Sequence, residues 1–240
     1  MSTVVLVHGA LQTSATWDLV VPGLRRAGHS VYTPELSGMG PRGGPMTAGI
    51  DLDTHIADIV RFLETHDLRQ VVLAGHSYAG MVITGVAARV PSRLAHLVYV
   101  DAFAPEKGRA AIDFMPQPIR DLFQSLVAPD GFRIVPHERL LDVWHLEGAA
   151  RDFVRDRMWD FSVRCFAQPL RDDPRGIRVA RTFLACTGGG NGARAVFAPF
   201  AERAKREGWE YRELPTGHDC QVDMPEAVAA IIEEACHTAS

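Results

Sequence analysis

The chain has 240 residues, 47% apolar and 22% charged, with a net charge of −4. That length suits one substantial domain and is short for two. The acidic balance and the lack of any basic run argue against a nucleic-acid partner, and no apolar stretch has the length of a membrane span.

The start, MSTVVLVHGA, has no basic flank and reads as a first strand over Thr3–His8 rather than as a signal peptide. Thr16–Ala27 reads as a helix with Gly28 beyond its end, and Ser30–Pro34 as a second short strand. Residues 35–50 are rich in Gly and Pro and read as loop. Ile56, Ile59, Val60 and Leu63 share one face of a helix over Asp51–His66. In VVLAGHSYAGMV a strand over 70–74 runs into a helix over 78–90, which puts Ser77 on the turn between them. Such a tight turn needs small neighbours, and Gly75, Ala79 and Gly80 supply them. Leu94–Val100 is another apolar strand, ending at Asp101.

The rhythm then changes. Residues 103–178 hold Pro, Arg, Asp and many aromatics but no evident strand, so they read as an inserted, mostly helical cap on a core formed by 1–102 and 179–240. Phe114, Phe123, Phe132, Trp144, Phe153, Trp159, Phe161 and Phe166 lie in it; most are needed for packing, and a few, with Trp144 and Trp159 as candidates, are expected over Ser77. Arg151, Asp152, Arg155, Asp156 and Arg157 read as a solvated helix face with local ion pairs. Alternation resumes with strand Arg181–Cys186, helix Ala193–Glu207, strand Trp209–Leu214 and a last helix from Pro225. Strands alternating with helices predict a mostly parallel sheet covered on both faces, with chemistry gathered at the carboxyl ends of the strands. Ser77, Asp101 and His218 lie just past three such ends.

LVHGA, GHSYAGMV, LVYVDAFAP and PTGHDCQVDMPE together, in this order and over nearly the whole chain, resemble an α/β-hydrolase. Within that fold the pattern is similar to the small methylesterase and hydroxynitrile-lyase branch and its bacterial esterase relatives. The resemblance implies Ser77 as nucleophile, with Ala79 in place of the last glycine of G-x-S-x-G, and His218 as its general base. The oxyanion donors would be the backbone N–H groups of Tyr78 and Ala10, with Gly9 allowing close approach. His8 and His76 are read as structural, Asp219 as a solvated neighbour of the base, and Cys220 as packing.

The acid of the triad is out of place. The family usually sets it just after the strand that here ends at Cys186, but this chain has Thr187-Gly188-Gly189-Gly190-Asn191 there. Asp101, in YVDAFAP, is similar to the Y-M-E-A segment in which some haloalkane dehalogenases carry their acid. Neighbouring strand ends lie about 5 Å apart, so a carboxylate moved over by one strand still reaches the imidazole. A Ser–His dyad without an acid is the alternative.

These residues point to hydrolysis of a small apolar carboxylic ester, thioester or lactone through a Ser77 acyl-enzyme. No cofactor is expected: the glycines at 188–192 lack any phosphate-binding register. Cys165, Cys186, Cys220 and Cys236 lack C-x-x-C spacing and read as reduced thiols of a cytoplasmic protein without a metal site. A lyase is the first rival, but plant hydroxynitrile lyases typically have a lysine after the histidine and a threonine where Gly9 stands. Retention of both Ser77 and His218 argues against a silent binding module, while cyclisation, acyl transfer and a homodimeric state are left open by the sequence.

Overall fold

Val4–Val7, Val71–Ala74 and Leu97–Val100 are unbroken apolar runs and fully buried or nearly so, as strands covered on both faces must be. The computed structural model describes residues 1–188 and 192–238. In chain order these form β1 (Thr3–Val7), a 3-10 turn (Ser14–Trp17), α1 (Val21–Arg26), β2 (Ser30–Tyr32), α2 (Leu52–Thr65), β3 (Val71–His76), α3 (Ala79–Arg89) and β4 (Leu94–Val100). The segment after β4 contains α4 (Gln117–Ser125), β5 (Arg133–Ile134), α5 (Glu138–Val143), α6 (Gly148–Arg155), β6 (Phe161–Ser162) and α7 (Val163–Ala167). The chain closes with β7 (Ala180–Cys186), α8 (Ala193–Arg206), β8 (Glu210–Leu214), α9 (Cys220–Asp223) and α10 (Pro225–Thr238).

β2-β1-β3-β4-β7-β8 is the strand order of a six-stranded sheet in which every neighbouring pair is parallel. Alternation along β1 decides the layers. Val5 and Val7 pack in the core beneath α2, α3 and α8, and Val4 and Leu6 in the core beneath α1 and α10. Strand order reverses between β1 and β3, so the loops leaving their carboxyl ends flank a crevice. That crevice is where the Ala10 loop and the Ser77 turn lie. No helix among the described residues is long and apolar enough to cross a membrane.

Two expected elements differ. The helix expected over Thr16–Ala27 divides into the 3-10 turn and α1, because Pro22 has no N–H to continue an earlier helix and instead sits in the first turn of a new one. The segment 103–178 contains a two-residue antiparallel ladder, Arg133–Ser162 and Ile134–Phe161, too short to show a period in sequence. The ion-paired face expected around residue 155 is present: Arg155 meets Asp152 and Asp156, while Arg151 pairs with Glu138 and Asp142.

Gly80 shows how closely α3 approaches the start of that segment. A Cβ there would lie 1.9 Å from the Phe103 carbonyl oxygen. Alanine in a helix gains about 1 kcal/mol over glycine, but relieving this overlap means moving backbone, at about 3 kcal/mol or more. Gly80→Ala is therefore expected to lower the urea midpoint strongly or prevent folding; a variant as stable as the parent would contradict the packing described.

Candidate active site

Ser77 leaves β3 with φ of +56°, a left-handed conformation that a serine adopts only when its surroundings fix it. They do. Its N–H donates to the Val100 carbonyl at 3.1 Å, and its carbonyl accepts from the Gly80 and Phe103 N–H groups, both at 3.1 Å. The Tyr78 N–H follows at the amino end of α3, where backbone donors have no helical acceptor.

Asp101 leaves β4 in the same left-handed region, with φ of +42°, its N–H held by the Leu184 carbonyl at 2.7 Å. This sends its carboxylate across the end of β7. There Oδ1 accepts from the Cys186 N–H at 3.2 Å, and Oδ2 lies 2.6 Å from Nδ1 of His218. Both side chains are buried. A carboxylate facing Nδ1 fixes the proton on that nitrogen and leaves Nε2 as the free base. The imidazole is sandwiched, 4.8 Å from the Phe197 ring and 4.6 Å from His76, and its backbone N–H donates to the Trp144 carbonyl at 3.0 Å. The expected strand shift thus brings Asp101 and His218 together. Of the usual acid position, Gly189, Gly190 and Asn191 lie outside the described residues.

The loop after β1 lies against the turn. A Cβ on Gly9 would stand 3.0 Å from Nδ1 of His76 and 3.1 Å from the Ser77 Cβ, so glycine lets the loop pass the turn closely and any larger residue would have to push those side chains by a few tenths of an ångström. His8 braces the loop: Nε2 accepts from the Leu36 N–H at 3.2 Å, and Nδ1 donates to the Gly9 carbonyl. Tyr78 is anchored at its far end. His55 Nε2 donates to the Ser37 carbonyl, so its Nδ1 accepts from the Tyr78 hydroxyl at 3.1 Å.

Ala10, Ser77 and His218 border one narrow cavity of about 40 Å³, walled by Phe103, Met115, Ile119, Phe123, Trp144 and Phe166 among others. Among the described residues, none that lines it is Asp, Glu, Lys or Arg. Trp159, expected as a candidate for this wall, is instead 40% exposed and outside the cavity. It directly follows Met158, which bridges to Gln12, and its own N–H is tied to the Leu11 carbonyl.

A model of the alpha/beta hydrolase family matches residues 4–231. The chain belongs to that family. Over 237 residues it is 32% identical to a carbendazim hydrolyzing esterase of Nocardioides sp. (strain SG-4G), covering 95% of this chain and 97% of that one. This hydrolase is therefore an enzyme, and the relative it matches over nearly its whole length is an esterase. It is also 33% identical over 105 residues to an alpha-hydroxynitrile lyase of Arabidopsis thaliana, spanning 42% of this chain and 40% of that one. Among solved structures, an extracellular alpha/beta-hydrolase from a Paenibacillus species superposes with a TM-score of 0.81 at 25% identity, over 98% of this chain and 99% of the other. That protein is described as sharing structural and functional homology with tobacco salicylic acid binding protein 2.

One expectation about the hydrolase site is overturned. Asp219 is not a solvated neighbour of His218 but fully buried. Its carboxylate has partners other than those of the His218 ring, and its surroundings are interior because the β1 loop packs there. Asp219 Oδ1 accepts from Nε2 of Gln12 at 2.5 Å and from Nε2 of Gln221 at 3.0 Å. Gln12 and Gln221 were invisible to periodicity; their one signal is an amide embedded in otherwise apolar or catalytic surroundings. Among the described residues, no three His, Cys, Asp or Glu side chains converge as metal ligands would.

Burial pushes the His8 and His55 imidazoles each down to about 4, and the Asp219 carboxyl up to about 6. The unfolded chain protonates its histidines near 6.5, so between that value and 4 it binds more protons than the folded one. Stability therefore falls as pH drops through this window, by about 2 kcal/mol per histidine from pH 7 to 5. Asp219 acts in the opposite sense, since its folded form takes a proton first, and returns about 1 kcal/mol over the same range. Urea melts at the two pH values are expected to show a net loss at pH 5, smaller by about 2 kcal/mol in His8→Gln. Equal stability at both values would refute the account of these buried rings.

Proposed function

We propose that this enzyme hydrolyses esters with a small, neutral, apolar acyl group through a Ser77 acyl-enzyme. The observation that carries the reading is the 2.6 Å contact between His218 Nδ1 and Asp101 Oδ2, at the edge of a cavity bordered by both Ser77 and His218. In this reading His218 Nε2 takes the hydroxyl proton as Ser77 Oγ bonds to the carbonyl carbon. The Ala10 and Tyr78 N–H groups receive the oxyanion. As the ester C–O bond breaks, His218 returns the proton to the leaving alkoxide; a water then repeats the attack with His218 again as base, releasing acid and Ser77. Asp101 holds the ring in its tautomer and stabilises its cationic form.

Residues 103–178 would act as a cap on a core of 1–102 and 179–240: Phe103, Met115, Ile119, Phe123, Trp144 and Phe166 come from that segment. An uncharged aromatic wall favours apolar groups and penalises a charged acyl chain, whose desolvation nothing there repays. The resemblance to the Nocardioides esterase makes carbendazim one compound to include beside short aryl esters. Gly9 and Asp219 stand where the lyase pattern calls for other residues, so a cyanohydrin belongs in the panel as the contrary case.

Turnover of p-nitrophenyl acetate and labelling by a fluorophosphonate test the reading together. Ser77→Ala is expected to abolish the label and lower kcat on the order of 10⁴-fold or more, and Asp101→Asn to lower kcat on the order of 10⁴-fold. Ester cleavage by Ser77→Ala at the parent rate, or cyanide release in place of ester cleavage, would overturn it.

A further inference from the structure

Beyond the Ser77, His218 and Asp101 cluster runs a second buried polar chain that the proposed reaction leaves unused. It consists of Gln12, His76, Asp219 and Gln221, all at most 1% exposed. Asp219 Oδ1 receives the Gln12 and Gln221 amides. The Gln221 Nε2 also donates to His76 Nδ1 at 3.3 Å, and His76 Nε2 donates to the His218 carbonyl at 3.0 Å. The carboxylate thus ties the loop after β1 to the one carrying His218, and Gln221 extends the chain to His76, next to Ser77.

The β1 loop is the member that needs tying. Between Ala10 and Gln12 stands Leu11 with φ of +60°, a conformation that a bulky residue keeps only where its neighbours hold it. On one side Leu11 and Gln12 are held by Trp159 and Met158. On the other, the Gln12 side chain ends on Asp219.

We propose that Asp219, acting through Gln12, is a positioning residue that holds the Ala10 N–H at its place over Ser77. The carboxylate beside the base then serves the oxyanion half of the site and not the imidazole. This rests on the reading of Ser77 as the nucleophile. Only Oδ1 makes the tie; Oδ2 is buried without a hydrogen-bond partner. A proton on Oδ2 leaves both amide contacts in place, so the arrangement needs an acceptor oxygen and no charge. Asparagine keeps that oxygen and alanine does not.

The test uses the whole enzyme with p-nitrophenyl acetate, active sites counted by fluorophosphonate titration, and phenylboronic acid as the probe of tetrahedral binding. Asp219→Ala and Gln12→Ala are each expected to lower kcat per titrated site about 10- to 100-fold, as a displaced oxyanion donor does. KM is expected to stay within about threefold and phenylboronic acid binding to weaken in step with kcat. Asp219→Asn is expected to restore kcat to within about threefold of the parent, and the double alanine variant to be no worse than either single one. Gln12→Ala approaches the same tie from its neutral end and leaves the Asp219 carboxyl with Gln221, so the question survives if Asp219→Ala does not fold. Alanine variants with parental kcat per titrated site, whatever their melting temperature, would overturn the proposal. So would an Asp219→Asn as impaired as Asp219→Ala, since that would assign the residue a charge role. Failure of the parent enzyme to label at Ser77 would overturn the nucleophile reading, and this proposal with it.

Discussion

As a base toward a hydroxyl, an imidazole gains most of its power from a partner on its other nitrogen, which must keep the proton there and accept the ring's positive charge. Asp101 and His218, 117 residues apart, meet that requirement with an Nδ1–Oδ2 distance of 2.6 Å. The contact spans the end of β7, and the sheet makes it possible. β4 and β7 are neighbours in register from His96–Ala180 to Val100–Leu184, so the backbone at the end of β7 lies beside Asp101. The Cys186 N–H there takes one carboxylate oxygen and aims the other at the ring. The left-handed turns at Ser77 and Asp101 are strained conformations fixed by backbone hydrogen bonds to neighbouring strands. Rigid strands thus supply the precision that the chemistry requires.

Polar groups in this site are arranged for dryness. His8, His55 and His76 are buried and held neutral by desolvation, and each makes hydrogen bonds suited to one tautomer. Of these uncharged rings, His76 lies against His218, His8 braces the β1 loop and His55 anchors the Tyr78 hydroxyl. The apolar wall completes the enclosure, which strengthens any interaction with a developing oxyanion.

Much of this was legible in the sequence because it rests on short-range rules. Buried strands announce themselves as apolar runs, the turn at Ser77 by its small neighbours, and the crevice follows from alternating strands and helices. Placing Asp101 beside His218 took the resemblance of YVDAFAP to segments that carry an acid one strand over, together with the spacing of adjacent strands. Asp219 was misread because its burial is decided by a loop more than two hundred residues away, and no local pattern reports such a partner. Trp159 was grouped with Trp144 on composition, although what separates them is tertiary: one faces the cavity and the other the outside. The ladder between β5 and β6 is two residues long, below the reach of any periodicity.

Two carboxylates lie near His218, and the account assigns them different work: Asp101 to the ring and Asp219 to the loop that carries Ala10. Proton NMR separates them most directly. A hydrogen-bonded Nδ1 proton facing a buried carboxylate resonates far downfield of the amide region and can be assigned through ¹⁵N-labelled histidine. The account predicts such a signal from His218 in the parent enzyme, lost in Asp101→Asn and retained in Asp219→Asn. A signal that survives Asp101→Asn and disappears in Asp219→Asn would contradict it.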